Sequence, residues 1–235
     1  MSGERPVVAQ IPDEARAALR TILDLLAEDR GAPSAVRDAE QAWKVHVADS
    51  LSGLSVEGLR SARRIADVGA GAGFPGLVLA VARPDGQVDL LESIRRKCEF
   101  MDRAIERAGI RNARVVCGRS EAWASTTPPV GGRDSYDAVT ARAVGRLSTL
   151  AELASPLLVR GGVLVAWKGR RDPDEEAELQ RAAERLAVEP LAVVPVGPYA
   201  GSRHRHLHVI RKVAATPAGL PRRPGVAKKR PFGRR

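Results

Sequence analysis

The stretch Ile65-Ala-Asp-Val-Gly-Ala-Gly-Ala-Gly-Phe-Pro-Gly76 decides the fold of this 235-residue chain. The apolar run Ile65–Val68 predicts a buried strand, which ends in a glycine-rich turn where the backbone can approach a ligand closely. Pro75 suits the first turn of a helix, and an apolar stretch continues that helix. A second apolar run, 88–91, ends in Glu92, and an acidic residue at the tip of the second strand is typical of sites that bind ribose hydroxyls. The stretch therefore predicts an adenosine-containing ligand at the carboxyl ends of parallel strands.

The spacing of the glycines favours one adenosine ligand over another. Gly71, Gly73 and Gly76 match the Gly-x-Gly-x-x-Gly pattern of dinucleotide sites, but the match does not begin at the strand end. Counted from the strand end, the glycines are Gly69, Gly71 and Gly73, and they follow Asp67. That pattern is typical of S-adenosylmethionine-dependent methyltransferases. An NAD-dependent oxidoreductase is the first alternative, and a glycine-rich turn without a ligand is the second.

Strands and helices alternate along the chain after Ile65. Apolar runs predict strands at 65–68, 88–91, 113–116, 136–140 and 162–167, and helices at 76–82, 93–108, 146–158 and 173–187. This alternation predicts an α/β fold with a mostly parallel, doubly wound sheet. Two further runs, 191–196 and 206–210, predict an antiparallel last strand. The arrangement is that of a Rossmann-like class I methyltransferase, whereas a dehydrogenase would continue with another parallel unit.

Residues 1–60 are predicted to form a helical cap rather than a separate domain. One amphipathic helix precedes Gly31, and a second runs from about Val36 to Leu51. The rest of the chain divides into an S-adenosylmethionine-binding domain, 61–213, and a basic tail, 214–235. Proline, glycine and basic residues dominate the tail, so it is predicted to be irregular.

The net charge of +10 is concentrated at the C-terminal end of the chain. Residues 203–235 contain eleven Lys and Arg and no Asp or Glu, which leaves the rest of the chain close to neutral. A localised cationic segment indicates a nucleic-acid partner. A tail that only keeps the protein in solution is the alternative, and the two interpretations are compatible.

Several other classes of protein and site are not favoured. No run of eighteen apolar residues is present, and the N-terminus lacks a signal pattern, so we expect a cytoplasmic protein with no membrane partner. His204, His206 and His208 alternate, but the neighbouring Arg203 and Arg205 oppose a cation, so no metal is expected. A monomer is expected.

Seven short motifs together resemble one family of proteins. They are Asp67–Gly76, Leu90–Ser93, Gly118–Glu121, Thr140–Ala143, Trp167–Gly169, His46–Leu51 and Arg205–Leu207. They are similar to the motifs of the RsmG family, also called glucose-inhibited division protein B, which comprises bacterial methyltransferases that modify a guanine at N7 in 16S ribosomal RNA. The resemblance covers about 36–235. It fails in the cap, where the family's Asn-Leu-Thr reads Ala32-Pro33-Ser34 and the family's Arg before the motif histidine is Val45.

The resemblance implies S-adenosyl-L-methionine as cofactor and 16S ribosomal RNA, or the small ribosomal subunit, as partner. The residues implied or predicted to bind the cofactor are Asp67, Gly69, Gly71, Gly73, Phe74, Glu92, Ser120, Glu121 and Arg142. Among them, Glu92 is expected on the ribose, and Ser120 and Glu121 near the adenine, although a helix N-cap also explains Ser120. This site is expected to be built from 67–142, without help from the tail.

The residues predicted to contact RNA are Lys168, Arg203, Arg205, His206, Arg222, Arg223, Lys228, Lys229 and Arg230. Guanine N7 is a neutral lone-pair acceptor with no proton to lose, so no general base is required. Arg142 is the predicted catalytic residue, and a structural ion pair is the alternative. As an exposed arginine at a strand tip, it is expected to contribute little to stability. A ribosome-assembly factor without catalysis is the non-enzymatic alternative.

Overall fold

The computed structural model of the protein describes residues 11–29, 31, 34, 36 and 38–234, and within them seven strands form one sheet. In chain order the strands are β1 (Arg64–Val68), β2 (Gln87–Glu92), β3 (Ala113–Cys117), β4 (Tyr136–Arg142), β5 (Leu158–Lys168), β6 (Val188–Pro195) and β7 (His206–Lys212). Their order across the sheet is β3-β2-β1-β4-β5-β7-β6. All neighbours are parallel except β7, which runs antiparallel to β5 and β6. The predicted sheet and its antiparallel last strand are confirmed.

Helices cover both faces of this sheet. They are α1 (Asp13–Glu28), α2 (Ala39–Ala42), α3 (Asp49–Leu51), α4 (Glu57–Arg60), α5 (Gly76–Ala82), α6 (Arg95–Arg107), α7 (Ser120–Trp123), α8 (Leu147–Ala154), α9 (Pro173–Ala182) and α10 (Val226–Lys229). Alternate side chains of β1 point to opposite faces, so Ile65 joins the core under α1 and α5, and Ala66 joins the core under α8 and α9. Along the described part of the chain, no helix is both long and apolar enough to cross a membrane.

The boundaries of two predicted elements were wrong. The helix expected over 146–158 ends at Ala154, because Leu158 already pairs with Tyr136 as part of β5. The helix expected to reach residue 187 ends at Ala182 and is followed by a short 3₁₀ turn.

The cap packs directly on the sheet, and its second helix differs from the prediction. Val36 is not helical, and the helix begins at Ala39 because Asp38 caps it by accepting a hydrogen bond from the Gln41 amide at 2.7 Å. From Trp43 to Ala48 the helix widens into a π-helical segment, and α3 continues it. Such segments frequently occur at functional sites. Part of the predicted second helix, and the Ala32-Pro33 departure, lie outside the described residues.

The C-terminal segment is irregular apart from one short helix, as predicted, but it is packed against the protein. Residues 220–234, called the strap from here on, include α10 and bury Leu220 and Ala227. Arg222 is predicted to contact RNA, but it forms a two-pronged ion pair with Glu152, whose side chain is only 2% exposed. The composition of the strap hid this contact, because its acidic partner is 70 residues away along the chain.

Candidate functional site

Two cavities adjoin at the carboxyl ends of the parallel strands. The first has a volume of about 470 Å³ and is lined by residues that follow β1, β2 and β3, together with part of the strap. The second, of about 210 Å³, lies between the cap and the ends of β4, β5 and β7. Ala143, which follows β4 with a φ of 59°, lines both cavities. A non-glycine residue in this conformation is strained, and such strain is concentrated at functional sites.

Asp67 holds the glycine-rich loop from inside the protein. Its Oδ2 accepts a hydrogen bond from the Gly76 amide and its Oδ1 one from the Thr140 hydroxyl, both at 2.9 Å. The carboxyl group is fully buried, and burial raises its pKa to about 6. Asp67, which is predicted to bind the cofactor, does not line either cavity. It supports the glycine-rich loop instead.

We expect the pH dependence of stability to change when Asp67 is replaced with asparagine. A carboxyl pKa raised by folding means that stability is greatest in acid and is lost as the pH rises through 6. The free energy of unfolding of Asp67→Asn, relative to the original protein, should therefore increase by about 3 kcal/mol between about pH 4 and pH 7. Urea unfolding at several pH values measures this. His46, which also titrates abnormally, is present in both proteins and cancels from the difference; parallel pH profiles would contradict the assignment.

Gly69 and Glu92 line the first cavity, whereas Gly71 and Gly73 are not among its lining residues. Gly69, Gly71 and Gly73 have φ values of 69°, 63° and 91°, which only glycine adopts without strain. Glu92 accepts hydrogen bonds from the Gly71 amide at 3.1 Å and from the Ile94 amide at 2.9 Å. Two backbone donors thus fix a carboxylate at the cavity, with lone pairs left for hydroxyl groups. Its contact with a ribose stays a prediction.

Ser120 and Glu121 form a second wall after β3. Ser120 lies inside α7 rather than at its N-cap, so the capping explanation was wrong, and its hydroxyl lies 3.4 Å from the Glu121 carboxylate. The other oxygen of Glu121 accepts a hydrogen bond from the Gly225 amide of the strap at 2.8 Å. Residues 225 and 227–229 also line the cavity. The cavity therefore includes residues beyond 67–142, the range from which the cofactor site is predicted to be built.

Arg142 lies in the second cavity, where the cap holds it. Its guanidinium donates to the Val45 carbonyl and to Asp49 Oδ2, both at 3.0 Å, and lies 3.3 Å from His46 Nδ1. The side chain of Asp49 is only 5% exposed. The prediction that Arg142 is an exposed residue at a strand tip was therefore wrong. Arg142 joins the cap to the sheet through a largely buried ion pair. Phe74 faces the same group, with its ring 5.8 Å from the Arg142 guanidinium, and does not line the first cavity.

His46 is a site residue to which sequence reasoning gave no role, although its motif was recognised. Its ring stacks on Phe74 with centroids 4.5 Å apart, and its Nε2 lies 3.0 Å from the Ser34 hydroxyl. Burial, and then the charge of Arg142, lower its pKa to about 4, so the ring is neutral near pH 7. Nδ1 accepts from Arg142, and Nε2 then carries the proton. A neutral imidazole can orient the arginine without repelling it.

The far side of the second cavity is rich in hydrogen-bond donors. Lys168 binds Glu175 at 2.6 Å and the Gly145 carbonyl at 3.0 Å, and it lines the cavity with Arg205 and His206. Arg203 is exposed and lies outside the cavity. The structure thus brings Arg142, Lys168, Arg205 and His206 together, as a site for an anionic or acceptor-rich ligand requires.

The remaining predicted basic contacts are on the strap. Arg223, Lys228, Lys229 and Arg230 are exposed, and of these only the two lysines line the first cavity. Across the described residues, no group of three potential metal ligands is present. His206 and His208 lie in β7, with His208 buried, whereas His204 precedes the strand.

The fold and the first cavity define a class of enzyme. A mostly parallel sheet with β7 antiparallel, a positive-φ glycine loop after β1 and a fixed carboxylate at the tip of β2 are features of a class I S-adenosylmethionine-dependent methyltransferase. The loop is not crowded at Gly71: beyond the two adjacent residues, the nearest described atom to a Cβ built there would be the Gly69 carbonyl oxygen, 3.8 Å away.

Comparison with known proteins gives the family. Residues 29–207 match the GidB family, described as rRNA small subunit methyltransferase G. The ribosomal RNA small subunit methyltransferase G of Rubrobacter xylanophilus is 41% identical over 200 residues, which are 83% of this chain and 75% of the relative. That of Symbiobacterium thermophilum is 38% identical over 217 residues, 89% of this chain and 87% of the relative. The chain belongs to the rRNA small subunit methyltransferase G family.

Solved structures confirm the fold. Cofactor-bound Rv0187 from MTB has a TM-score of 0.52 and 22% identity, covering 92% of this chain and 93% of that one. The fibrillarin pre-rRNA processing protein of Methanococcus jannaschii has a TM-score of 0.53 and 17% identity, covering 71% and 74%. With the family established, the predicted enzyme class and the predicted cofactor, S-adenosylmethionine, are confirmed, and an oxidoreductase is not favoured.

Proposed function

We propose that this protein methylates N7 of a guanine in the 16S ribosomal RNA of the small subunit, using S-adenosylmethionine. The observation that carries the proposal is the junction of the two cavities at Ala143. One cavity has the fixed carboxylate and glycine loop expected of a nucleoside site, and the other has the cations expected of an RNA site. A methyl group has only a short distance to travel between ligands that meet at one residue.

The cofactor supplies an electrophilic methyl group bonded to a positively charged sulfur. The residues of this chain then have to hold guanine N7 in line with it, because N7 has a free lone pair and no proton has to be removed. Orientation of this kind can account for several kcal/mol of the barrier. This explains why the mechanism needs no base, nucleophile or metal.

Arg142 is the residue best placed to orient the guanine. Guanine presents two acceptors, O6 and N7, on its major-groove edge. A hydrogen bond to N7 would occupy the lone pair that has to react, so we assign Arg142 to O6 or to an adjacent phosphate. Its contacts with Val45 and Asp49 fix the guanidinium before RNA binds. Lys168, Arg205 and His206 are assigned to the RNA backbone near the target nucleotide.

The exposed basic residues should give RNA binding a strong dependence on salt. Each phosphate contact releases counterions, so Arg223→Ala should reduce the slope of log affinity against log salt by about 0.7 to 1. Filter binding of small subunits over a range of salt concentrations measures the slope. Arg211→Ala removes an exposed arginine that pairs with Glu189 and is not a predicted contact, and it should leave the slope unchanged. Equal slopes for the original protein, Arg223→Ala and Arg211→Ala would show that Arg223 is not a phosphate contact.

The activity is tested on ribosomal RNA itself. Nucleotides of 16S RNA from cells with and without the gene are compared by mass mapping, and purified protein is incubated with small subunits and labelled S-adenosylmethionine. We expect one guanine to lose its N7 methyl group in cells without the gene. Binding of the protein to subunits with no methyl transfer would instead support an assembly factor. We place this activity in the cytoplasm and expect the chain to act as a monomer.

A further inference from the structure

The strap lies outside the part of the chain that the family model matches. The match ends at residue 207, yet Gly225, Ala227, Lys228 and Lys229 line the first cavity. We propose that the strap is a wall of the S-adenosylmethionine site, and that RNA held on its two lysines lies across the cavity, so that RNA and cofactor strengthen each other's binding. The RNA part of this inference rests on the proposed function.

The strap is firmly anchored at its beginning. Leu220 is buried, and its carbonyl accepts a hydrogen bond from Arg133 at 2.8 Å. Arg222 forms its two-pronged ion pair with Glu152 of α8 and donates to the Arg230 carbonyl at 2.8 Å. A contact between a bidentate arginine and a buried carboxylate fixes both position and orientation. The path of the strap beside the cavity is therefore built into the fold.

The end of the strap is anchored as well. The Phe232 ring lies under the guanidinium of Arg222, 3.9 Å from it, and Arg185 lies 4.8 Å from the same ring. The Gly233 carbonyl accepts from Arg181 at 2.8 Å. A Cβ on Gly233 would lie 2.2 Å from the Glu178 carbonyl oxygen, so the strap backbone packs closely on α9. Between these two anchors, residues 225–229 face the cavity.

The strap also acts on a predicted adenine contact. The Gly225 amide donates to one Glu121 oxygen at 2.8 Å, and the Ala227 carbonyl accepts from Thr149, another lining residue, at 3.3 Å. The strap therefore helps to fix the position of the Glu121 carboxylate. Loss of the strap would remove this contact and open the wall at the same time.

The charges around the cavity point to a polyanion. Lys228 and Lys229 are exposed, and no described carboxylate forms an ion pair with either. Lys97 and Arg119 line the same cavity. Lys97 already pairs with Glu92 at 4.0 Å, and S-adenosylmethionine offers a single carboxylate beside its sulfonium and ammonium groups. The remaining cations are better matched by the phosphates of an RNA strand crossing the opening.

Coupling between two ligands is reciprocal, so it can be measured from either side. S-adenosylhomocysteine, the product that the cofactor becomes after methyl transfer, serves as the ligand. Equilibrium dialysis of the labelled product at one fixed salt concentration, with and without small ribosomal subunits, gives the factor by which subunits change its affinity. We expect subunits to tighten its binding to the full chain at least about fivefold, and the product to tighten subunit binding by the same factor. Lys228→Glu with Lys229→Glu should lose this tightening. Arg234→Glu, an exposed charge of the strap outside the cavity, should keep it.

A chain that ends at Gly219 tests the wall itself. It should bind S-adenosylhomocysteine at least about tenfold more weakly even without RNA. Because truncation leaves Glu152 buried and unpaired, Glu152→Gln is added to keep the shortened chain folded, and thermal unfolding checks this. In the unmodified chain, the same ligand should slow amide hydrogen exchange of residues 225–230.

The possible outcomes separate the two proposals. Normal binding of S-adenosylhomocysteine by the folded shortened chain would overturn the proposal that the strap is a wall of the cofactor site. Unchanged amide hydrogen exchange in the strap on addition of this ligand would do the same. Tightening by subunits that survives in the lysine variant would overturn the role of the lysines. Product binding without RNA does not depend on methyl transfer, so a full chain that methylates nothing but loses affinity on truncation would refute only the proposed function.

Discussion

Arg142→Ala should reduce methyl transfer at saturating RNA by at least about a hundredfold and should also destabilise the protein. The guanidinium is expected to orient the guanine, and it also pairs with Asp49, whose side chain is buried. Asp49 Oδ1 has no partner among the described residues, so removing Arg142 leaves a buried carboxylate without any ion pair. The expected loss of unfolding free energy is about 3 kcal/mol. Radiolabel transfer to small subunits and urea unfolding measure the two effects.

Two further variants separate orientation from charge. Arg142→Lys keeps the positive charge but loses the forked donor geometry, so stability should recover more than activity does. Asp49→Asn keeps an oxygen acceptor for Arg142 and should retain part of the activity. Cofactor binding distinguishes the two roles predicted for Arg142: because it lies outside the first cavity, we expect S-adenosylhomocysteine to bind Arg142→Ala normally. Near-normal turnover of Arg142→Ala would show that the arginine is only structural.

Gly71→Val should weaken binding of S-adenosylmethionine at least about a hundredfold. A β-branched side chain resists the φ of 63° at this position, next to Gly69, which lines the cavity. Strain in the loop would also disturb the hydrogen bond from the Gly71 amide to Glu92. Isothermal titration with S-adenosylhomocysteine measures the loss.

Gly161→Val is the matched control for this substitution. Gly161 has a φ of 87°, a Cβ there would meet no described atom within 4 Å, and the residue lies at the far end of β5 from the cavities. Both valine variants should therefore lose similar stability, and only Gly71→Val should lose the cofactor. If Gly161→Val lost binding equally, the effect would come from general destabilisation. Unchanged binding by Gly71→Val would place the cofactor elsewhere.

The sheet and the first cavity were largely predictable because their signals are local. Each strand is a short apolar run, and the glycines and Glu92 occupy the strand ends that parallel topology brings together. The cofactor class followed from the register of the glycines relative to β1. Phe74 in the loop and Asp67 in β1 are both buried, which spacing alone does not reveal.

The parts that were mispredicted depend on contacts between residues far apart in the sequence. Arg142 resembled an exposed strand-tip residue because its partners, Asp49 and the Val45 carbonyl, are more than 90 residues earlier. The strap is mostly irregular, as its composition predicts, but its packing was missed because Glu152, the buried partner of Arg222, is 70 residues earlier. Neither contact leaves a signal in the local sequence.

Because the cap holds Arg142 in place, inherited changes in the cap can inactivate this protein. The atoms that hold the guanidinium belong to residues 45–49, within and just after the π-helical segment, and that segment is held by the packing of the cap on the sheet. A small shift of the cap would move the arginine without touching the cofactor. In a population selected for loss of ribosomal methylation, we therefore expect inactivating changes to cluster in the first quarter of the gene as well as in the glycine loop. Proteins carrying the former should still bind S-adenosylmethionine.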